Sequence, residues 1–117
     1  MRLTSLLFVA VASAAKVPKA LLINLPRHSE RLETVKHQLD LQDVEYERAP
    51  AVDGALLSAE ELQQNVTALG RALTTRGMMG CFLSHRSCWL RCVELGEPVL
   101  VFEDDGAYTG RLVAHAW

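Results

Sequence analysis

At 117 residues the chain has room for one domain or part of one, and with half its residues apolar and 22% charged it has a globular balance that argues against disorder. Fourteen acidic against twelve basic side chains leave a formal charge of −2 and no Lys/Arg run, which excludes an electrostatic nucleic-acid binder or a binder of anionic membrane surfaces. Three cysteines are too few for a disulfide-built miniprotein, and the odd count leaves at least one thiol unpaired within the chain.

In chain order, residues 1–15 read as a signal peptide. Arg2 gives a positive start, Leu3 to Val11 is mostly apolar, and Ala12-Ser13-Ala14-Ala15 offers small residues for cleavage. The uncharged stretch is shorter than the ~20 residues of a membrane span, so no transmembrane anchor is expected. The domain then occupies residues 16–117. Ala20 to Leu25 is a short apolar run stopped by Pro26, the pattern of a buried strand. Ser29 is placed to cap a helix over Glu30 to Leu41, with Leu32, Val35 and Leu39 at helical spacing. Val44 to Val52 returns to an extended pattern and ends in the turn pair Asp53-Gly54. Ser58 and Glu61 form a capping box ahead of a short helix.

Asn65-Val66-Thr67 is a glycosylation sequon, consistent with secretory entry. Met78 to Leu95 has helical spacing, with Gly96 as its stop and Pro98 beyond. Pro98 to Phe102 is a continuous apolar run, expected to be a strand buried on both faces. Strand, helix, strand, helices, strand is the order of an α/β layered domain with a mostly parallel sheet.

Ligands of open parallel sheets bind beyond the carboxyl ends of the strands, and all three predicted strands exit into polar residues. Asn24 is followed by Arg27 and Arg31, the second strand leads to Asp53, and the third runs into Glu103, Asp104 and Asp105. Guanidinium groups and clustered carboxylates together suit a nucleoside diphosphate with a divalent metal. Glu103 and Asp105, two apart, can point to one side and hold a hard cation such as Mn²⁺ or Mg²⁺; the competing reading is a solvated acidic turn. Arg27 and Arg31 can share one phosphate at a helix start, or pair with Glu30 and Glu33 on the surface. No glycine-rich phosphate loop is present.

Cys81, His85, Cys88 and Cys92 share a helix face, yet Cys81 and Cys92 stand about 16 Å apart along the axis, too far for one ion. The cysteines read instead as small buried hydrophobes.

These segments resemble glycosyltransferase family 25, which includes bacterial lipooligosaccharide galactosyltransferases and animal procollagen galactosyltransferases. The matching stretches are Ile23-Asn24-Leu25-Pro26-Arg27 with Arg31; Ala51-Val52-Asp53-Gly54; Gly77 and Gly80 through His85 with Trp89; and Val101 through Asp105, in the family's order. The resemblance implies a Rossmann-like A-type glycosyltransferase fold and metal-dependent transfer of a hexose, galactose foremost, from a UDP-sugar to a protein or glycan acceptor. It implies that Asn24, Arg27 and Arg31 line the nucleotide pocket and that Asp53 touches base or ribose. Ser84 and His85 would lie near the donor, and Glu103, Asp104 and Asp105 would bind Mn²⁺ or Mg²⁺. The secretory pathway, in the endoplasmic reticulum or Golgi lumen, is the matching location.

The family's domain normally continues well past the acidic motif, whereas this chain ends twelve residues after Asp105. An apparently truncated, non-catalytic nucleotide-sugar-binding or interaction module is therefore the alternative, and a metal-dependent phosphohydrolase using Asp104 and Asp105 a weaker one.

Overall fold

The computed structural model describes residues 17–107; the expected signal peptide lies outside them. Three parallel strands form one sheet in the order β2-β1-β3, with β1 spanning Lys19–Asn24, β2 Tyr46–Pro50 and β3 Val99–Glu103. The α/β expectation with a parallel sheet is met, in a Rossmann-like arrangement.

Strand β1 is central, and its side chains alternate between two cores. Ala20 and Leu22 face Val35 and Leu39 of helix α1 (Ser29–Asp40), together with Val44 and Phe102. Leu21 and Ile23 face Cys88 of the long helix α4 (Arg76–Leu95), flanked by Ala49, Val99 and Val101. An apolar run without polar alternation is what a strand covered on both faces requires. Burial of Leu21 and Leu22, each at most 1% exposed, stabilises the sheet by about 1.5–3 kcal/mol per side chain.

Helix α1 begins before the expected Glu30: His28 rather than Ser29 occupies the capping position, and no side chain caps it. The turn through Pro26 and Arg27, closed by the His28 N–H donating to the Leu25 carbonyl at 3.0 Å, starts the helix one residue early. After β2 a 3-10 turn spans Gly54–Leu56, with Asp53 accepting from the Ala55 N–H. Helix α2 (Ala59–Asn65) carries the full Ser58/Glu61 capping box. Helix α3 (Ala68–Leu73), capped by Thr67, has no buried residue: its Leu69 and Leu73 stand at helical spacing but are exposed.

Helix α4 starts two residues before Met78 because the Thr75 hydroxyl accepts from the Met78 N–H. It ends at Gly96, whose φ of 67° lies in the left-handed region that only glycine occupies without strain. Strand β3 departs from expectation. Only Phe102 is buried, while Val99, Leu100 and Val101 are half-buried, because β3 is an edge strand whose faces the two helices cover partly.

The order β2-β1-β3 means that the chain leaves β1 to one side through α1 and reaches its other side through α4. Between β1 and β3 the connections diverge, and a crevice opens at the carboxyl ends there.

Candidate functional site

That crevice is a cleft of about 210 Å³ built from all three strand exits and the first half of α4. Its lining includes Arg27 after β1, Asp53 after β2, Cys81 and His85 from α4, and the three acids at the end of β3 and in the turn beyond it. A second cleft of about 450 Å³ adjoins it across Arg27 and Asp53, and is walled by Leu25, Pro26, Leu56 and Leu57 with Glu61 at its rim.

Two glycines set how closely α4 approaches the strand exits. A Cβ on Gly80 would stand 2.6 Å from the Val52 carbonyl oxygen and from the Gly54 nitrogen, and one on Gly54 would collide with the Arg76 carbonyl. Ser84, 3% exposed, completes the junction by accepting from the Val52 N–H at 2.8 Å while donating to the Gly80 carbonyl at 2.7 Å. Its hydroxyl, expected near a ligand, is committed to holding helix to loop. The glycines and Ser84 thus place the His85 face of α4 over the cleft.

Asn24 is 1% exposed, and its amide joins three segments. Its Nδ2 donates to the His28 carbonyl at 2.9 Å and to Asp104 Oδ2 at 2.6 Å, while Arg48 Nε donates to its Oδ1 at 3.1 Å. Arg48 also donates to the Asn24 carbonyl at 3.1 Å. Sequence reasoning did not single out Arg48, since an arginine in a strand carries no motif. Asn24 borders the cleft, but its side chain serves as a brace between the exits of β1, β2 and β3.

Arg27 and Arg31 do not share one target. Arg27 precedes the helix, so the one-turn relation does not apply to it, and its guanidinium pairs with Asp53 across the loop after β2. That contact, with the Ala55 N–H second, holds the Asp53 carboxyl below the usual carboxylate range. Arg31 Nη1 instead lies 3.5 Å from His28 Nδ1 and 4.0 Å from Asp104 Oδ1, outside the cleft lining.

The acidic trio divides: Glu103, the last residue of β3, and Asp104, the first of the turn beyond it, take different partners. Asp104 turns toward α1, where Asn24 holds it and His28 Nδ1 lies 3.9 Å away. Glu103 turns toward α4, with Oε1 2.7 Å from His85 Nε2. Asp105 lines the cleft, and its charge, like that of Glu103, reaches the Cys81 thiol. Burial first, and these two carboxylates second, push that thiol above its ordinary pKa.

The cysteines do not share one fate. Cys88 is buried in the α4 core, as expected, but Cys81 is exposed and borders the cleft. Its place one turn before His85 was the available signal. Among the described residues no helix is long and apolar enough to cross a membrane.

Residues 17–109 match the family model described as "Glycosyltransferase family 25 (LPS biosynthesis protein)". The chain is 39% identical over 103 residues to a "Glycosyltransferase 25 family member" of Drosophila melanogaster, an alignment covering 80% of this chain and 17% of the relative. It is 38% identical over 93 residues to a protein of the same description from Anopheles gambiae, covering 72% and 16%. Similarity to human "Procollagen galactosyltransferase 2" is 37% over 94 residues, covering 72% and 15%. The matched stretch thus amounts to 15–17% of the length of these curated relatives. It carries β1, the loop after β2, α4 and the exit of β3 in one continuous run: the chain belongs to glycosyltransferase family 25.

Proposed function

We propose that the chain forms the donor-binding part of a glycosyltransferase, and that its paired clefts receive a UDP-sugar with a divalent cation, Mn²⁺ or Mg²⁺. The carrying observation is the convergence of Arg27, Asp53, Glu103 and Asp105 from three strand exits on one cleft lined by charged groups, beside a more apolar one that shares Arg27 and Asp53. The larger number of carboxylates in the charged cleft, against the one guanidinium of Arg27, calls for a cation to seat a pyrophosphate there. The apolar cleft offers leucine and proline surface to a nucleobase, with Asp53 between the two as an acceptor for ribose hydroxyls. Names of relatives such as "Procollagen galactosyltransferase 2" support galactose as the sugar. A protein or glycan acceptor in the secretory pathway completes the reading.

The residues fit a hard cation: Glu103 and Asp105 both border the cleft, and carboxylate oxygens are the donors such ions take. Asp104, held by Asn24, contributes charge and orientation. When bound, the cation supplies electrostatic stabilisation of the charge that develops on the departing nucleoside diphosphate.

The chain's own groups bind and orient. Arg27 is pre-positioned by Asp53 at the boundary of the two clefts, where its planar fork can turn to phosphate oxygens. His85 holds Glu103 against the α4 wall, fixing a carboxylate that would otherwise swing into solvent. The packing of Gly54 against Gly80 keeps the loop after β2 at a set distance from the helix, and so sets the width of the cleft.

Calorimetric titration tests the reading directly. UDP is expected to bind with Mn²⁺ present, to lose at least tenfold in affinity in Asp105→Ala, and to weaken in Arg27→Ala. UDP binding that is equally tight without metal would contradict it.

A further inference from the structure

We propose that Cys81, His85 and Glu103 form a binding site for a borderline-soft divalent cation of the Zn²⁺ class on the α4 wall of the cleft. The thiol sulfur, an imidazole nitrogen and a carboxylate oxygen of these three residues all lie within 4.8 Å of one another. The carboxylate and imidazole already meet at 2.7 Å. Around a tetrahedral Zn²⁺ with bonds of about 2.0–2.3 Å, donor atoms stand roughly 3.3–3.8 Å apart. Small side-chain rotations therefore convert the observed spacing into a coordination shell.

The scaffold beneath the trio is rigid. Cys81 and His85 project one turn apart from α4, whose position is fixed by Cys88 in the core and by the Ser84 junction. Glu103 is delivered by the last residue of β3, in register with Ile23 of the central strand. Ligands carried on regular elements hold their geometry more closely than ligands on loops.

The donor set selects the ion. Sulfur with imidazole nitrogen suits Zn²⁺ and its congeners, whereas Mg²⁺ and Mn²⁺ favour the oxygen-only set of Glu103 and Asp105. Three protein ligands leave a fourth position open to water or to a ligand atom. Cys81 is exposed, so the ion has access from solvent. A consequence that rests on the donor reading is competition. Glu103 belongs to both sets, and Zn²⁺ bound to the thiol and imidazole withdraws it from the hard cation.

Co²⁺, a spectroscopic substitute for Zn²⁺, tests the site without any nucleotide. Titrated into the reduced full chain, it is expected to give a thiolate-to-cobalt charge-transfer band at one ion per chain, abolished by added Zn²⁺. The band should vanish in Cys81→Ser, a substitution at an exposed position, and persist in Cys92→Ser and Asp105→Ala. His85→Ala should weaken binding by more than the ~10-fold typical of losing an outer-shell partner. Absence of the band, or its survival in Cys81→Ser with unchanged circular dichroism, would overturn the proposal. Metal-independent UDP binding would defeat the donor reading and leave this result untouched.

Discussion

Asn24 ends a buried strand with a side chain that cannot be left unpaired, and its neighbours meet that demand. His28, Arg48 and Asp104 all bond to its amide or carbonyl, so one residue ties together the exits of the three strands. Asn24→Ala removes the amide that Arg48 Nε and Asp104 bond, leaving Arg48 only its bond to the main-chain carbonyl, and is expected to destabilise the fold by about 1–3 kcal/mol in denaturant unfolding. An unchanged midpoint with lost UDP binding would instead assign the amide to the ligand. At this scale the sequence was half legible. Its motifs marked Asn24, Asp53, Ser84 and the three acids as belonging together, and the fold does bring them to one edge. It did not separate side chains that face the cleft from those that hold it, because that depends on partners such as Arg48, twenty-four residues from Asn24. The misreading of Cys81 has a similar origin. Helical spacing places it on the face of Cys88, but it lies two turns nearer the helix start, where the core has given way to the cleft.

Between elements, the clearest electrostatic tie joins α4 to β2. Arg91 Nε donates to Glu47 Oε1 at 2.9 Å and Lys19 Nζ lies 3.1 Å from Glu47 Oε2, on the sheet face that α4 covers. Arg91 first and Lys19 second lower the Glu47 pKa from 4.5 to about 2. The folded-state pKa is depressed, so the stabilisation is fully present above the unfolded value of 4.5 and is lost as pH falls toward about 2. The group is partly solvated, so Glu47→Gln is expected to cost about 1 kcal/mol at neutral pH. That difference from the parent should shrink through the acid window, as followed by thermal unfolding at several pH values. A pH-independent difference would show that packing, not charge, is what the substitution removes.

Elements with a buried face or a paired cap were readable in the sequence: β1 from its apolar run, α1 from Val35 and Leu39, and α2 from its capping box. Helix α3 was not, for it buries nothing, and β3 was read as more enclosed than an edge strand can be.

For the molecule as a whole, strand order decides where chemistry can sit. Composition and periodicity indicated a parallel sheet, but the order β2-β1-β3 comes from pairings between residues as distant as Ile23 and Glu103, which local pattern does not encode. That order opens the crevice beside β1 and gathers the Arg27, Asp53 and Glu103 segments around it. The most direct measurement of the central claim is a backbone-amide NMR titration of the chain with UDP and substoichiometric Mn²⁺. Paramagnetic broadening is predicted at Glu103 to Gly106 and at His85, with diamagnetic shifts around Arg27, Asp53 and Leu56 when Mg²⁺ replaces Mn²⁺. Broadening centred instead on the apolar groove between α3 and α4, at Val66, Met78 and Phe82, would contradict the account.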